Sequence, residues 1–501
     1  MNARTNGRLL TVRRKPKPEK RTQRPVAKAT GGRHKALKIR RIDCREDKSG
    51  KQLAELKRQM SHQAEILSPR SRELTRKVFR QALPPIKAVE RICQEVQTRG
   101  LSAVLHYTEQ FDKVRLTKSE LRVKLDDMKA AHAAASPEFL ETVRNIRQNI
   151  LSFQMGLLHT DAILSVSGSH EIQLRYRPLR RVGICVPGGA ASYPSTLLMT
   201  VCLAQAAGVK ELAVVMPPTS HGAGNPDLLA VCYELGVTEL YRIGGAQAVA
   251  ALAYGIEGIP PVDMIVGPGN QFVSLAKRYV QSTVAIDCVS GPSEVVVVAD
   301  ESAQPEFVAA DLLAQAEHSP GVSVLVTWQP ELLDEVSAAL NRQVNKLARG
   351  DLARDSLERY GAFVLVRDAK QAVEVANALA PEHLHVQTRD PEAIADQVGD
   401  AGAIFLGNFT PVALGDYAAG PSHVLPTGGT ARYTSGLTAN DFLRCSSVMS
   451  FTARGLRHLA EDVVRLAEKE GLTGHATSVS IRMSDAKLPA RPPKKPVKSA
   501  Q

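Results

Sequence analysis

The sequence predicts an α/β fold: two Rossmann-like parallel-sheet units without a G-x-G-x-x-G turn, plus smaller helical regions towards both ends. Three observations carry this. Short apolar runs between residues 182 and 406 end in Gly or Pro and alternate with helix-length segments, the pattern of parallel strands covered on both faces. The alternation comes in two successive series of similar make-up with no sequence repeat, which suggests a duplicated architecture. The length, 501 residues, exceeds what one compact core accommodates, so two to four domains are expected.

In chain order, residues 53–154 read as helical, with charged amphipathic runs such as 85–99 and 137–153. A β-like segment follows at 171–176. The first series has strands at 182–186, 211–216, 239–243 and 264–266, with helices at 195–207, 226–235, 246–254 and 271–280. The second has strands at 294–298, 323–327, 362–366, 384–388 and 403–406, with helices at 305–315, 330–347, 370–379 and 391–398. Residues 408–442, rich in Gly, Thr and Pro, are too long for a plain connection and read as a functional loop. An amphipathic helix at 451–471 then leads to a strand-like stretch at 476–483. The expected divisions are a disordered basic tail (1–41), a mainly helical region (42–175), a first α/β unit (176–292), a second (293–430), a C-terminal helical region (431–486) and a second disordered basic tail (487–501).

The net charge of +13 suggests a nucleic-acid binder until it is located. Residues 1–41 hold fifteen Lys/Arg against the single acid Glu19, or +14, and residues 487–501 add +5; the remainder, 42–486, is left at −6. The body is mildly acidic and the basicity sits in two tails poor in apolar residues. They read as solvated extensions, the first of them ending where order begins near Lys38-Ile39, or as an electrostatic arm for a polyanion. The solvated reading is preferred, because residues 1–41 contain no Phe, Tyr or Trp on which a base could stack. The uncharged stretch 182–209 contains Pro187, Gly188, Gly189 and Pro194, so it reads as a buried strand, a turn and a core helix rather than a membrane span. Seven cysteines without a CxxC pair give neither a disulfide framework nor a thiolate zinc site; together with the lack of a signal peptide, this predicts a cytoplasmic protein.

Four segments carry the chemistry: Gln315-Ala316-Glu317-His318, Pro381-Glu382-His383-Leu384, Gly415-Asp416-Tyr417 continuing to His423, and an isolated His475. Gln315 and His318, three apart at a helix end, can point to one spot. With Asp416 and His475 they make a nitrogen/oxygen donor set suited to Zn²⁺, with Mn²⁺ or Co²⁺ as alternatives. Glu382-His383, at a helix-to-strand junction, reads either as an acid/base pair or as a helix C-terminus with a dipole-favoured His. Glycine turns at Pro187-Gly188-Gly189, Gly244-Gly245 and Gly267-Pro268-Gly269-Asn270 end predicted strands and precede helices, where a phosphate or nucleotide would sit.

In order and spacing, Gly-Gly-Ala-Gln-Ala (244–248), Gly-Pro-Gly-Asn (267–270), Gly-Pro-Ser-Glu (291–294), Gln-Ala-Glu-His (315–318), Pro-Glu-His-Leu (381–384) and Gly-Asp-Tyr-Ala (415–418) resemble the histidinol dehydrogenase family, over about 39–483. The resemblance implies NAD-dependent four-electron oxidation of L-histidinol through L-histidinaldehyde to L-histidine. It implies one Zn²⁺ per subunit on Gln315, His318, Asp416 and His475, holding the substrate rather than performing redox chemistry. By the same transfer His383 is the base for the alcohol and Glu382 activates water. Ser293, His423 and Glu470, with His383 and the metal ligands, contact substrate. Gln247 and Asn270 contact NAD, as does position 185, where the family usually has Tyr and this chain has Cys185. Glu470 and His475 would complete the neighbouring subunit's site in a homodimer. The alternative is a same-fold zinc/NAD dehydrogenase acting on another polar alcohol, such as a sulfonated diol.

Overall fold

The computed structural model describes residues 36–45, 49–61, 69–189, 191–318 and 321–484. The expected tail 487–501 and most of 1–41 lie outside these residues. Arg40 and Arg41 lie inside them, in a strand, β1 (Arg40–Asp43). That strand leaves the helices that follow it and pairs in parallel with Ala362–Leu365, far along the chain. The helices after it are amphipathic as their patterns require. Pro85–Arg99 buries Ala88, Val89, Ile92, Cys93 and Val96, one stripe at helical spacing. Pro137–Gly156 starts at Ser136, whose hydroxyl accepts from the Phe139 N–H at 3.1 Å. A hairpin of β2 (Ala162–Val166) and β3 (His170–Pro178) follows.

The first large sheet holds β4 (Arg181–Cys185), β5 (Glu211–Val215), β6 (Glu239–Tyr241), β7 (Met264–Val266) and β8 (Ala285–Ile286), all parallel, in the order β6-β5-β4-β7-β8. The second holds β9 (Ser293–Ala299), β10 (Gly321–Thr327), β11 (Ala362–Leu365), β12 (His383–Gln387) and β13 (Ala403–Leu406), in the order β1-β11-β10-β9-β12-β13. Setting β1 aside, both sheets run third, second, first, fourth, fifth, so the expected duplication is present in topology. Each therefore reverses its direction of growth beside its first strand, the switch point at which α/β sheets open a crevice. Alternate residues of each strand feed opposite faces. Val295 and Val297 join one hydrophobic cluster, and Val296 and Val298 another.

Helix Pro194–Ala207 is buried along almost its whole length, as expected of the uncharged stretch. Among the described residues no helix is long and apolar enough to cross a membrane, and all seven cysteines are unpaired. A helix at Gly350–Tyr360 was not anticipated; it buries only Ala353, Ser356 and Leu357, a stripe too narrow to stand out in a charged sequence. After β14 (Leu443–Phe451), antiparallel to β3, comes helix Ala453–Lys469, capped by the Thr452 hydroxyl. The strand expected at 476–483 is instead part of a helix, Thr473–Ser484. Its Val479, Ile481 and Met483 alternate with polar residues as in a strand, but the segment coils against the preceding helix and buries Ala476, so packing overrules local preference.

Candidate active site

The glycine turns cluster at the carboxyl ends of the first sheet. Cys185 closes β4 and leads into Pro187-Gly188-Gly189; Gly244-Gly245 follows β6, and Gly267–Asn270 follows β7. Gly267 adopts φ +107°, and a Cβ there would lie 2.2 Å from the Cys185 carbonyl oxygen, so no other residue fits this approach. Asn270 caps helix Gln271–Val280, its Oδ1 accepting from the N–H groups of Phe272 and Val273 at 3.0 and 3.2 Å. Gln247, in the first turn of helix Gly245–Tyr254, is 1% exposed, and its Oε1 has no hydrogen-bond partner among the described residues. A buried acceptor left open beside glycine turns fits a ligand that brings donors, as a nucleotide does. The Cys185 thiol is pushed up to about 12 by burial, so it is a packing group and not a nucleophile.

The titratable residues gather at the opposite, amino ends of the second sheet. Helix Ala369–Leu379 ends at Ala380 in a left-handed conformation, and Pro381 then turns the chain so that Glu382 and His383 arrive at the start of β12. Next to it, Ser293 and Glu294 start β9. Ser293 Oγ donates to Glu382 Oε2 at 2.6 Å and accepts from Gln315 Nε2 at 2.6 Å. The Glu294 N–H also donates to Glu382 Oε2, at 2.9 Å. His383 Nδ1 donates to the Glu294 carbonyl at 3.0 Å; its Nε2 stands 3.5 Å from Asp416 Oδ1, too far for a hydrogen bond. Asp416 lies in the short helix Val412–Tyr417 within the long loop, and its carbonyl accepts from His423 Nδ1 at 3.0 Å. The loop is pinned by buried Gln154, which donates to the Gly420 carbonyl and accepts from the Ala439 N–H.

Burial raises the Glu382 carboxyl above the usual carboxylate range. Burial pulls His383 down, but the charges of Glu382 and Asp416 and the bond to the Glu294 carbonyl outweigh it and raise the imidazole to about 9. For Asp416, burial opposes ionisation, and the nearby imidazoles of His383, His423 and His318 overcome it and hold the carboxyl below its ordinary value. His423 is lowered, chiefly by burial.

Gln315, His318, Asp416, Ser293, Glu382, His383 and His423 thus share one electrostatic neighbourhood. Gln315 is buried, Asp416 half-buried and His318 exposed. Glu470 and His475 are exposed on the C-terminal segment and share no hydrogen bond or ion pair with these residues. Among the described residues no group of three or more His, Cys, Asp or Glu side chains could hold a metal ion. What one chain offers is Gln315, His318 and Asp416, a neutral amide, an imidazole and an ionised carboxylate, a donor chemistry that fits Zn²⁺ but leaves its fourth ligand outside the group.

Three features escaped sequence reasoning. Glu294 is fully buried; its Oε1 accepts from the Gly428 N–H at 2.9 Å, its Oε2 has no hydrogen-bond partner among the described residues, and burial, followed by the Glu382 charge, raises its carboxyl far above the ordinary range. It stood in the Gly-Pro-Ser-Glu motif, which was the available signal. His385 and Gln387 of β12 form a buried polar cluster with Asp311, and Lys277 of helix Gln271–Val280 pairs with Asp287 just after β8; nothing in their sequence context marks either group.

A family model described as histidinol dehydrogenase matches residues 78–483. The histidinol dehydrogenase of Rhodopirellula baltica is 56% identical over 447 residues, covering 89% of this chain and 97% of that protein. That of Geobacillus kaustophilus is 45% identical, covering 79% and 93%. The crystal structure of histidinol dehydrogenase from Elizabethkingia anophelis superposes with a TM-score of 0.81 at 32% identity, covering 91% of this chain and all of that one.

Proposed function

Because the chain belongs to the histidinol dehydrogenase family, we propose that it oxidises L-histidinol through L-histidinaldehyde to L-histidine, the last two steps of histidine biosynthesis, reducing two NAD. The observation that carries the chemistry is the Ser293–Glu382–His383–Asp416 constellation, where a base and a carboxylate sit side by side with different free atoms. With Nδ1–H committed to the Glu294 carbonyl, Nε2 is the His383 atom open to the site; the imidazole, raised to about 9, presents a lone pair there once that proton has left. This nitrogen takes the alcohol proton in the first oxidation. Both hydrogen bonds to Glu382 fall on Oε2, so Oε1 remains for a water molecule. Glu382 removes that water's proton as it attacks the aldehyde, which gives the hydrate that loses the second hydride.

NAD, when bound, would supply the hydride acceptor for each oxidation, and zinc would supply an anchor for the substrate so that the aldehyde stays in place between them. Gln315, His318 and Asp416 would hold the zinc, with His475 of a second copy as the fourth ligand. Cys185, Gln247 and Asn270 would line the NAD side, and Ser293, His423 and Glu470 would contact substrate. The reading of a homodimer is supported by apolar residues left in solvent on the C-terminal helices: Leu466 and Ile481 are each 62% exposed. The sulfonated-diol alternative gains no support from the relatives.

The test is NADH formation from L-histidinol by the purified chain, with histidine counted and a chelator control. About two NADH per histidine, lost on chelation and restored by Zn²⁺, is expected from four-electron stoichiometry. No turnover by zinc-loaded protein would reject the substrate assignment.

A further inference from the structure

Lys277 and Asp287 form an ion pair almost wholly inside the protein, each side chain 2% exposed. Lys277 lies on helix Gln271–Val280, two turns beyond its Asn270 cap, and Asp287 follows β8. Lys277 Nζ donates to the Gly267 carbonyl at 3.0 Å. Asp287 Oδ2 accepts from the Gly267 N–H at 2.7 Å, and its Oδ1 from the Cys288 N–H at 2.6 Å. One ion pair therefore holds both main-chain groups of Gly267, the residue whose φ of +107° sets the Gly267–Asn270 turn.

The same carboxylate fixes Cys288, and from there the chain runs directly to Ser293. Midway, the Gly291 N–H donates to Thr427 Oγ1 at 2.6 Å, tying this segment to the long loop. At its far end Ser293 donates to Glu382, so the segment spans from the turn to the acid/base end of the second sheet. Apolar residues would fill the same space without the cost of dehydrating two charges. What they could not do is grip a carbonyl and two N–H groups on two segments at once.

We propose that Lys277 and Asp287 are positioning residues that hold the dinucleotide turn in register with the segment delivering Ser293. Neither touches the reacting atoms. The proposal rests on reading Gly267–Asn270 as an NAD contact.

The test uses the full-length zinc-loaded chain and the double variant Lys277→Met/Asp287→Asn, which removes both charges and leaves neither orphaned. NAD and L-histidinol affinities are measured separately by calorimetry. Amide hydrogen exchange is followed without NAD. The expected result is NAD binding weakened by about tenfold or more, as misplacement of a contact implies, with L-histidinol binding changed by less than about twofold. The Gly267 and Cys288 amides should exchange at least about tenfold faster than in the parent chain. Equal weakening of both ligands with a lowered melting temperature would mean a merely structural pair and overturn the proposal. In the unsubstituted chain these two amides should be strongly protected; rapid exchange there overturns it even if the variant fails to fold. Asn270→Ala, run in parallel, separates the two ideas. If it weakens NAD and the double variant does not, this proposal alone fails; if neither does, the reading of the turn fails with it.

Discussion

The two large sheets share a strand order but gather their distinctive residues at opposite ends. The first presents its carboxyl ends, lined with glycine turns and the starts of helices Gly245–Tyr254 and Gln271–Val280. The second presents the amino ends of β9 and β12, lined with the ends of helices Pro305–Ala316 and Ala369–Leu379. Helix starts carry partial positive charge and helix ends partial negative charge. The first end therefore suits the pyrophosphate of a dinucleotide, and the second suits imidazoles and a divalent cation. The common rule that α/β sheets bind ligands at their carboxyl ends describes only the first. Duplicated topology did not duplicate residue chemistry; on the proposed reading the two unlike ends serve as the two halves of one site.

The strongest way to break this division is to remove the base. His383→Asn should lower kcat by about 10²–10⁴ while zinc content and the KM for NAD stay near the parent values, since general-base loss is of that order. Metal analysis beside steady-state kinetics reads this. A parallel collapse of NAD binding would show that the two ends are not separable.

A second experiment asks whether the second sheet's end is complete in one chain. His475→Asn should be inactive, like His383→Asn, through loss of a zinc ligand. If His475 serves the other copy, a mixed dimer of the two variants has one site with neither change. Coexpression should then restore about a quarter of parental activity, because about half of the dimers are mixed and each has one intact site of two. No restoration would place His475 in its own chain's site. On the first end, Asn270→Ala should raise the KM for NAD by about tenfold, the scale of one or two lost polar contacts, with kcat and zinc little changed.

The sequence displayed the first end more completely than the second. Gly267–Asn270 and helix Gln271–Val280 are local features, readable because a glycine turn and an Asn cap act within a few residues. Glu382 and His383 were visible as types, but the partners that assign their free atoms were not. The Glu294 carbonyl, the Ser293 hydroxyl and Asp416 come from β9 and a distant loop, and only strand pairing brings them together. The same limit hid β1, whose partner β11 lies hundreds of residues away, and misassigned 476–483, where alternation of Val479 and Ile481 was outweighed by packing on a neighbouring helix. Lys277 and Asp287 show the limit most plainly: the adjacent Lys277 and Arg278 of an amphipathic helix read alike as solvated, and the burial of one of them is visible only in three dimensions.

The smallest predicted effect tests the electrostatics of the second end. Glu294 is buried beside Glu382, and burial, followed by that neighbour's charge, raises its carboxyl well above the ordinary range, so in the fold it holds its proton to higher pH than a free glutamate does. In the unfolded chain a glutamate ionises above about pH 4.3. The fold then binds one more proton than the unfolded chain between that value and the raised one, so Glu294 contributes its full stability at low pH and loses it as pH rises. Glu294→Gln keeps a neutral side chain of the same shape and the acceptor for the Gly428 N–H. It should change stability by no more than about 1 kcal/mol near pH 5, the scale of one hydrogen bond, and should unfold with a flatter pH dependence than the parent chain from pH 5 to 8. Denaturant unfolding at several pH values measures both. A variant much less stable than the parent at pH 5, or parallel pH profiles, would mean that Glu294 carries charge in the fold and that burial does not hold its proton.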